Sequence, residues 1–344
     1  MPQPSSAAGP ARLRVHFESL TSRPVFRITE AQLADAIGRH PDIGARLDVS
    51  RGEDLEDLAP ALPEIDVLVA SEFVLSHPAF PLRDLARAAP RLKWMHVTNA
   101  GIEKLLPLAW LPKSMKLTNS AGAHFIKAKE FAAMALLMLN AQLPRIIGNQ
   151  AQRKWEKVLT PTVAGKTLCV VGVGELGLAF VTEGKRLGLE VIGVRRSGRA
   201  RAGVDRMYPT AEVGDALSQA DFVVVSTPLT ADTEGLIGAR EFARMRPGVG
   251  FVNVARAKVV DYAALQESLR SGHVSGAILD VFHPEPLPAE SDLWQTPNLV
   301  MMPHVAMDDS ENFLARCLDI GFENLARHPQ GRRLKNVVNP ARGY

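Results

Sequence analysis

The chain has 344 residues, 46% of them hydrophobic and 22% charged, with a net charge of +3. That length accommodates two domains that each bury a core, and the balance excludes a disordered, collagen-like or disulfide-scaffold chain. So small an excess of charge gives no reason to invoke nucleic acid or an anionic membrane as a partner.

The N-terminal stretch "MPQPSSAAGPARLRVHF" carries no apolar core of a secretory signal, so a cytoplasmic protein is the expectation. Strands are predicted at 12–18, 64–70, 91–97 and 115–119, and Thr29 with Gln32 stand at capping-box spacing at the start of "ITEAQLADAIGRH". A long helix is expected over about 124–146, apolar most of the way round and hence buried between two bodies of protein. Its run "FAAMALLML" is too short to span a bilayer. Six further strands are then predicted, at 167–173, 189–194, 221–227, 249–254, 275–281 and 298–303, the number in a complete doubly wound dinucleotide domain. An amphipathic helical period runs through 308–329. Strands alternating with helices make the fold class α/β with parallel sheets. Cys169 and Cys317 lie in no Cys/His cluster, so they are expected as buried thiols and no metal site is expected. Packing is the expectation for Trp94, Trp110, Trp155 and Trp294.

"VVGVGELG" sets Gly172, Gly174 and Gly177 at GxGxxG spacing after a strand and at the opening of a helix. Glycines there permit a tight turn, close approach of backbone to a pyrophosphate and close helix packing. Glu175 suits the helix dipole but would crowd a pyrophosphate, and is expected to point away. An acid about 20 residues past the glycines would take both ribose hydroxyls of NAD. Instead, "EVIGVRRSGRAR" has Arg195, 18 residues after Gly177, followed by Arg196 and Ser197. Either these arginines form a solvated loop, or they grip a 2′-phosphate, which favours NADP(H) over NAD(H). Arg199 and Arg201, further along, are read as ordinary solvated residues.

Arg256, Glu285 and His304 each follow a predicted strand, which puts them on the same carboxyl edge as the glycine loop. An imidazole beside a carboxylate suits proton transfer to a carbonyl oxygen, and a guanidinium suits a substrate carboxylate. On pattern alone, a surface histidine, a capping glutamate and a salt-bridged arginine remain equally open.

With "STPLTADTEGLI", "FVNVARAKVVDYAALQESLRSGHVSGAILDVFHPEPLP", "SDLWQTPNLVMMPHVA" and "NVVNPARGY" added to the glycine loop, the chain resembles the D-isomer-specific 2-hydroxyacid dehydrogenases over nearly its whole length. The resemblance implies two Rossmann-like domains, a central doubly wound dinucleotide-binding domain at 121–307 and a split flavodoxin-like substrate domain from 1–120 plus 308–344, joined by two interdomain helices. It also implies a homodimer. Arg256 then corresponds to the substrate-binding arginine, His304 to the acid/base and Glu285 to its carboxylate partner. Asp280 falls at the nicotinamide, Thr227 and Pro228 on the adenosine side, Ala100 and Gly101 in a loop binding the substrate carboxylate, and His124 on the cleft side of the hinge helix. The full expected cofactor set is Gly172, Gly174, Glu175, Leu176, Gly177, Arg195, Arg196, Ser197, Thr227, Pro228, Val254, Ala255 and Asp280.

Departures from the family pattern are Ala257 where Gly is common, Ala121 where Arg is frequent, and "HVAMDD" after the histidine; they bear on pocket shape. Relatives acting on formate carry Gln at the position of Glu285, so that branch is not expected, and with no regulatory domain expected after residue 344 a phosphoglycerate-type enzyme is not the expectation either. The expected activity is reduction of glyoxylate, hydroxypyruvate or a related 2-keto acid. The alternative is a dinucleotide-sensing regulatory protein like the family's corepressors.

Overall fold

The computed structural model describes residues 12–343. The leader reading of residues 1–11, and Tyr344 at the end of the last signature block, lie outside the described residues. Two compact units form, one from the residues up to Ala123 together with those from Asp309 onward, the other from His124–Asp308.

The first unit is a five-stranded parallel sheet of β1 (Leu13–Ser19), β2 (Leu47–Glu53), β3 (Val67–Ala70), β4 (Trp94–Val97) and β5 (Lys116–Asn119) in the order β2-β1-β3-β4-β5. That is the flavodoxin-like order. β2 has no counterpart among the sequence-predicted strands. As an edge strand it buries only Leu47 and Gly52, so its "LDVSRGE" lacks the apolar run that marks the other strands. The Thr29 capping box forms as read: the Thr29 hydroxyl accepts from Gln32 N–H, and the Gln32 side chain accepts from Thr29 N–H. The helix Phe313–Arg327 returns to this unit and sets Leu314, Cys317, Leu318 and Phe322 into a core with Val15, Phe17, Val67 and Trp94.

The second unit holds β6 (Thr167–Val171), β7 (Glu190–Val194), β8 (Arg206–Tyr208), β9 (Phe222–Val225), β10 (Val249–Asn253), β11 (Val274–Leu279) and β12 (Leu299–Met301) in the order β12-β11-β10-β9-β6-β7-β8. All are parallel. The six predicted strands are present, and β8 makes a seventh, three-residue edge strand too short to leave a pattern in the sequence. Successive residues serve opposite faces: Cys169 and Val171 join one core, Leu168 and Val170 the other. Central strands are therefore buried on both sides, which is why they read as continuous apolar runs.

The single helix expected over 124–146 is instead two, Phe125–Asn140 and Leu143–Ala151, bent by 65°. Gln142 adopts a left-handed conformation at φ 53°, and Pro144 occupies the first turn of the second helix. Proline has no N–H to continue the ladder and disfavours helical geometry before it, so the helix breaks there. Burial is also one-sided within this unit. Phe131 meets Phe180 edge to face and Ala128, Ala135 and Leu139 are covered, whereas Ile126, Met134 and Leu137 are exposed. Among the described residues no single helix is long and apolar enough to cross a membrane.

Cys169 and Cys317 are free and buried, and burial pushes both thiols up to about 12. The tryptophans divide. Trp94 is fully buried with its indole N–H on Thr118, and Trp110 is half-buried, but Trp155 and Trp294 are 95% and 55% exposed, against the expectation of packing. Trp155 lies outside the helices and strands, and Trp294 stands on a short 3-10 helix whose buried position is taken by Leu293.

Candidate active site

β6 ends in the glycine loop, and Gly174 caps the helix Glu175–Arg186 with no side chain satisfying its first N–H groups. The three glycines have different reasons. Gly172 has φ 102°, and a Cβ on it would lie 2.5 Å from the backbone nitrogen of Thr227. A Cβ on Gly177 would lie 2.1 Å from the Gly172 carbonyl oxygen, so the helix and loop touch there. A Cβ on Gly174 would meet nothing within 4 Å. Two glycines thus shape the loop and the third leaves open backbone before uncapped helix N–H groups, an arrangement that fits a pyrophosphate. Ser226, not singled out in the sequence, braces the loop by donating its hydroxyl to the Gly172 carbonyl at 2.7 Å. Thr227 and Pro228 follow it, and the Pro228 carbonyl accepts from the Thr233 hydroxyl at 2.6 Å. Leu176 is half-buried against the core of this unit.

The arginine loop is anchored where Arg195 N–H donates to the Tyr208 carbonyl of β8. Arg196 pairs with Asp232 at 2.8 Å. Arg201 is exposed, as read, and comes within 3.8 Å of Glu175, so the carboxylate expected to crowd a pyrophosphate is turned toward the arginine loop. Arg195 and Arg199 make no ion pair among the described residues, and the Ser197 hydroxyl accepts from Arg199 N–H at 3.4 Å within the loop.

Farther along the same sheet edge, β10 runs through Val254 and Ala255, both buried, into the half-buried Arg256, whose guanidinium donates to the Ala255 carbonyl at 2.7 Å. The turn is held by Asn253. Its side-chain oxygen accepts from Ala255 N–H and its amide donates to the Arg256 carbonyl and the Tyr262 hydroxyl. Tyr262 in turn donates to the Val281 carbonyl at 2.6 Å, tying the Arg256 turn to the segment after β11. Burial pushes this phenol well above its usual range. Tyr262 gave no signal in the sequence beyond an aromatic at the start of a helix.

Glu285 receives the Phe282 N–H on one carboxylate oxygen at 2.8 Å and the His304 Nδ1 on the other at 2.9 Å. Burial alone would raise this carboxyl, but the His304 and Phe282 hydrogen bonds and the positive charges of His304 and Arg256 outweigh it and hold it below its ordinary value. His304 itself is held at φ 56°, a left-handed backbone that costs a non-glycine residue about 1 kcal/mol or more. Asp280 enforces it: one carboxylate oxygen accepts the N–H groups of both Val305 and Ala306 at 2.9 Å. Asp280 is only 5% exposed, and burial raises its carboxyl to about 6 against the opposing pull of the Ala306 N–H and the His304 charge.

The second unit therefore brings Gly172, Gly174, Gly177, Thr227, Arg256, Asp280, Glu285 and His304 to one sheet edge. Ala100 and Gly101 belong to the first unit, where Asn119 donates to the Ala100 carbonyl at 2.7 Å and Glu72 N–H donates to Asn99 to fix the loop. The His124 ring is bonded through Nδ1 to the Met307 carbonyl at 3.0 Å. No group of three potential metal ligands occurs among the described residues.

Residues 120–306 match the family described as D-isomer specific 2-hydroxyacid dehydrogenase, NAD binding domain. A glyoxylate reductase of Korarchaeum cryptofilum is 31% identical over 270 residues, 74% of this chain and 79% of that protein. Among solved structures, a D-isomer specific 2-hydroxyacid dehydrogenase from Xanthobacter autotrophicus in complex with NADPH superposes with a TM-score of 0.81 at 30% identity, covering 97% of this chain and all of that one. An NADPH-dependent glyoxylate/hydroxypyruvate reductase from Sinorhizobium meliloti in complex with NADP and sulfate gives 0.76 at 28% identity over 97% of this chain and all of that one. The chain spans about half the length of curated D-3-phosphoglycerate dehydrogenases it matches, 55% of one and 48% of another.

Two outcomes follow from these contacts. Tyr262→Phe leaves the Val281 carbonyl and the Asn253 amide each short of a partner, and is expected to cost about 1–2 kcal/mol in a denaturant titration. Because the folded Asp280 carboxyl is raised, its contribution to stability is fully present below its unfolded value and is lost as pH rises through about 6. Between pH 4 and pH 7 the wild type should therefore lose on the order of 2 kcal/mol relative to Asp280→Asn, measured by unfolding both at several pH values.

Proposed function

The chain belongs to the D-isomer specific 2-hydroxyacid dehydrogenase family, and from that membership we propose that it uses NADP(H) in preference to NAD(H) to reduce glyoxylate, hydroxypyruvate or a related 2-keto acid to the 2-hydroxy acid. The observation that carries this reading is the 2.9 Å contact of His304 with Glu285 on the sheet edge that also presents the glycine loop and Arg256.

When bound, the reduced nicotinamide supplies the hydride. Glu285 accepts the Nδ1 proton of His304, which leaves Nε2 as the nitrogen that delivers a proton to the carbonyl oxygen as negative charge grows there. With its carboxyl held low, Glu285 stays ionised at neutral pH and keeps its hydrogen bond to the His304 ring. Arg256 binds the substrate and stabilises the same developing charge. Asp280 holds the His304 segment through Val305 and Ala306, and would hold the carboxamide of a bound nicotinamide.

NADP(H) is supported by the absence of an acid at the end of β7, by Arg195 and Arg196 in its place, and by the NADPH and NADP held by the Xanthobacter and Sinorhizobium proteins. The His124–Asp308 unit is assigned to the dinucleotide and the other unit to the substrate. A homodimer is supported by the exposed apolar residues of the second unit, among them Met134, Leu137, Ile146, Ile147, Trp155 and Leu159.

Steady-state oxidation of NADPH and NADH with a panel of glyoxylate, hydroxypyruvate, pyruvate and phenylpyruvate tests the activity. Turnover with NADPH at a higher kcat/KM than with NADH is expected, and His304→Ala should lower kcat by at least about a hundredfold. Tight NADPH binding without turnover on any of the four acids would sink the enzyme reading. Light scattering during gel filtration should give a dimer mass that Trp155→Glu reduces to the monomer.

A further inference from the structure

Two carboxylates engage the arginine loop from outside it. Asp232 pairs with Arg196 at 2.8 Å and Glu175 approaches Arg201 at 3.8 Å, while Arg195 has no carboxylate partner among the described residues. The Asp232 contact is notable for the path it takes. β6 lies between β7 and β9 in the sheet, and the glycine loop rises from β6. Arg196 belongs to the loop after β7 and Asp232 to the loop after β9, so the pair joins the two loops that flank the glycine loop.

The turn that carries Asp232 is pinned. Thr230 N–H donates to the Thr233 hydroxyl at 2.8 Å, that hydroxyl donates to the Pro228 carbonyl at 2.6 Å, and Thr233 N–H donates to the Thr230 carbonyl at 3.0 Å. Arg196 is the long, flexible member, with Gly198 at φ 60° two residues on. Any anion that Arg196 grips is thus met by a second anion on a fixed turn.

Building on the NADP(H) reading, we propose that Asp232 is a specificity-determining residue that occupies Arg196 when no 2′-phosphate is present and competes with that phosphate for the guanidinium. A 2′-phosphate displaces the carboxylate from Arg196 and then sits near it, so the chain gives up part of the attraction that its arginines offer. A ribose with two free hydroxyls requires no such exchange. Asp232 thereby narrows the margin between NADP(H) and NAD(H) that the arginines alone would create.

Asp232→Asn keeps the size of the side chain and removes its charge. Binding of NADPH and of NADH to wild type and Asp232→Asn, each followed by quenching of tryptophan fluorescence, tests the proposal. The exposed setting of the pair sets the scale: the NADPH Kd should fall about three- to fivefold, with the NADH Kd unchanged within roughly 1.5-fold. In an Arg196→Ala background the same substitution should move the NADPH Kd less than half as far on the logarithmic scale. An unchanged NADPH Kd, or equal tightening for both cofactors, overturns the proposal. Each comparison is made within one cofactor, so the wild-type NADPH to NADH ratio judges the cofactor reading separately.

Discussion

Everything at the candidate active site depends on one constraint, that the strands of the His124–Asp308 unit run parallel and so present their carboxyl ends along a single edge. β6, β10, β11 and β12 are spread over more than a hundred residues of chain, yet each delivers its following turn to that edge. The interiors of β6, β10 and β11 stay apolar and buried on both faces, while the first residue beyond each strand is free to be polar without costing the core anything. Gly172, Arg256, Glu285 and His304 are such residues or lie within a few positions of them.

Delivery to an edge does not by itself fix a side chain, and much of the surrounding polar structure is devoted to that second task. Asn253 and Tyr262 link the Arg256 turn to the backbone after β11, and Glu285 is held from behind by the Phe282 N–H. The left-handed backbone at His304 persists because Asp280 binds the next two N–H groups. Asp280 bears a cost for this, as its raised carboxyl records, since a buried acid that accepts two backbone hydrogen bonds is still more easily protonated than one in water. Local strain and an ill-solvated carboxylate are tolerated where they orient an imidazole.

What could be read from the sequence divides along the same line. Buried parallel strands announce themselves as apolar runs, so the six main strands of the second unit, the glycine loop and the polar residues just past β10, β11 and β12 were all legible. The edge strands β2 and β8 were not, because each has one unpaired side and a mixed or very short sequence. The break at Gln142 was hidden by an uninterrupted apolar pattern, although Pro144 was the available signal. The bracing residues Ser226, Asn253 and Tyr262 were equally silent: each acts through side-chain hydrogen bonds that reach backbone atoms, and no spacing rule marks such bonds.

The arginine loop illustrates the limit most sharply. Read along the chain, "RRSGRAR" is a block of four positive charges with no acid inside it, and the natural inference is a strong, undivided anion site. Its counter-charges come instead from Glu175, 26 residues before Arg201, and Asp232, 36 residues after Arg196. Parallel topology is the reason they meet, since every loop at one edge has neighbours contributed by distant turns. A charge cluster at such an edge therefore has the strength left after those neighbours are counted. Among the described residues the count leaves Arg195 and Arg199 without an ion pair and Arg196 shared, a weaker and more adjustable field than the sequence alone suggests.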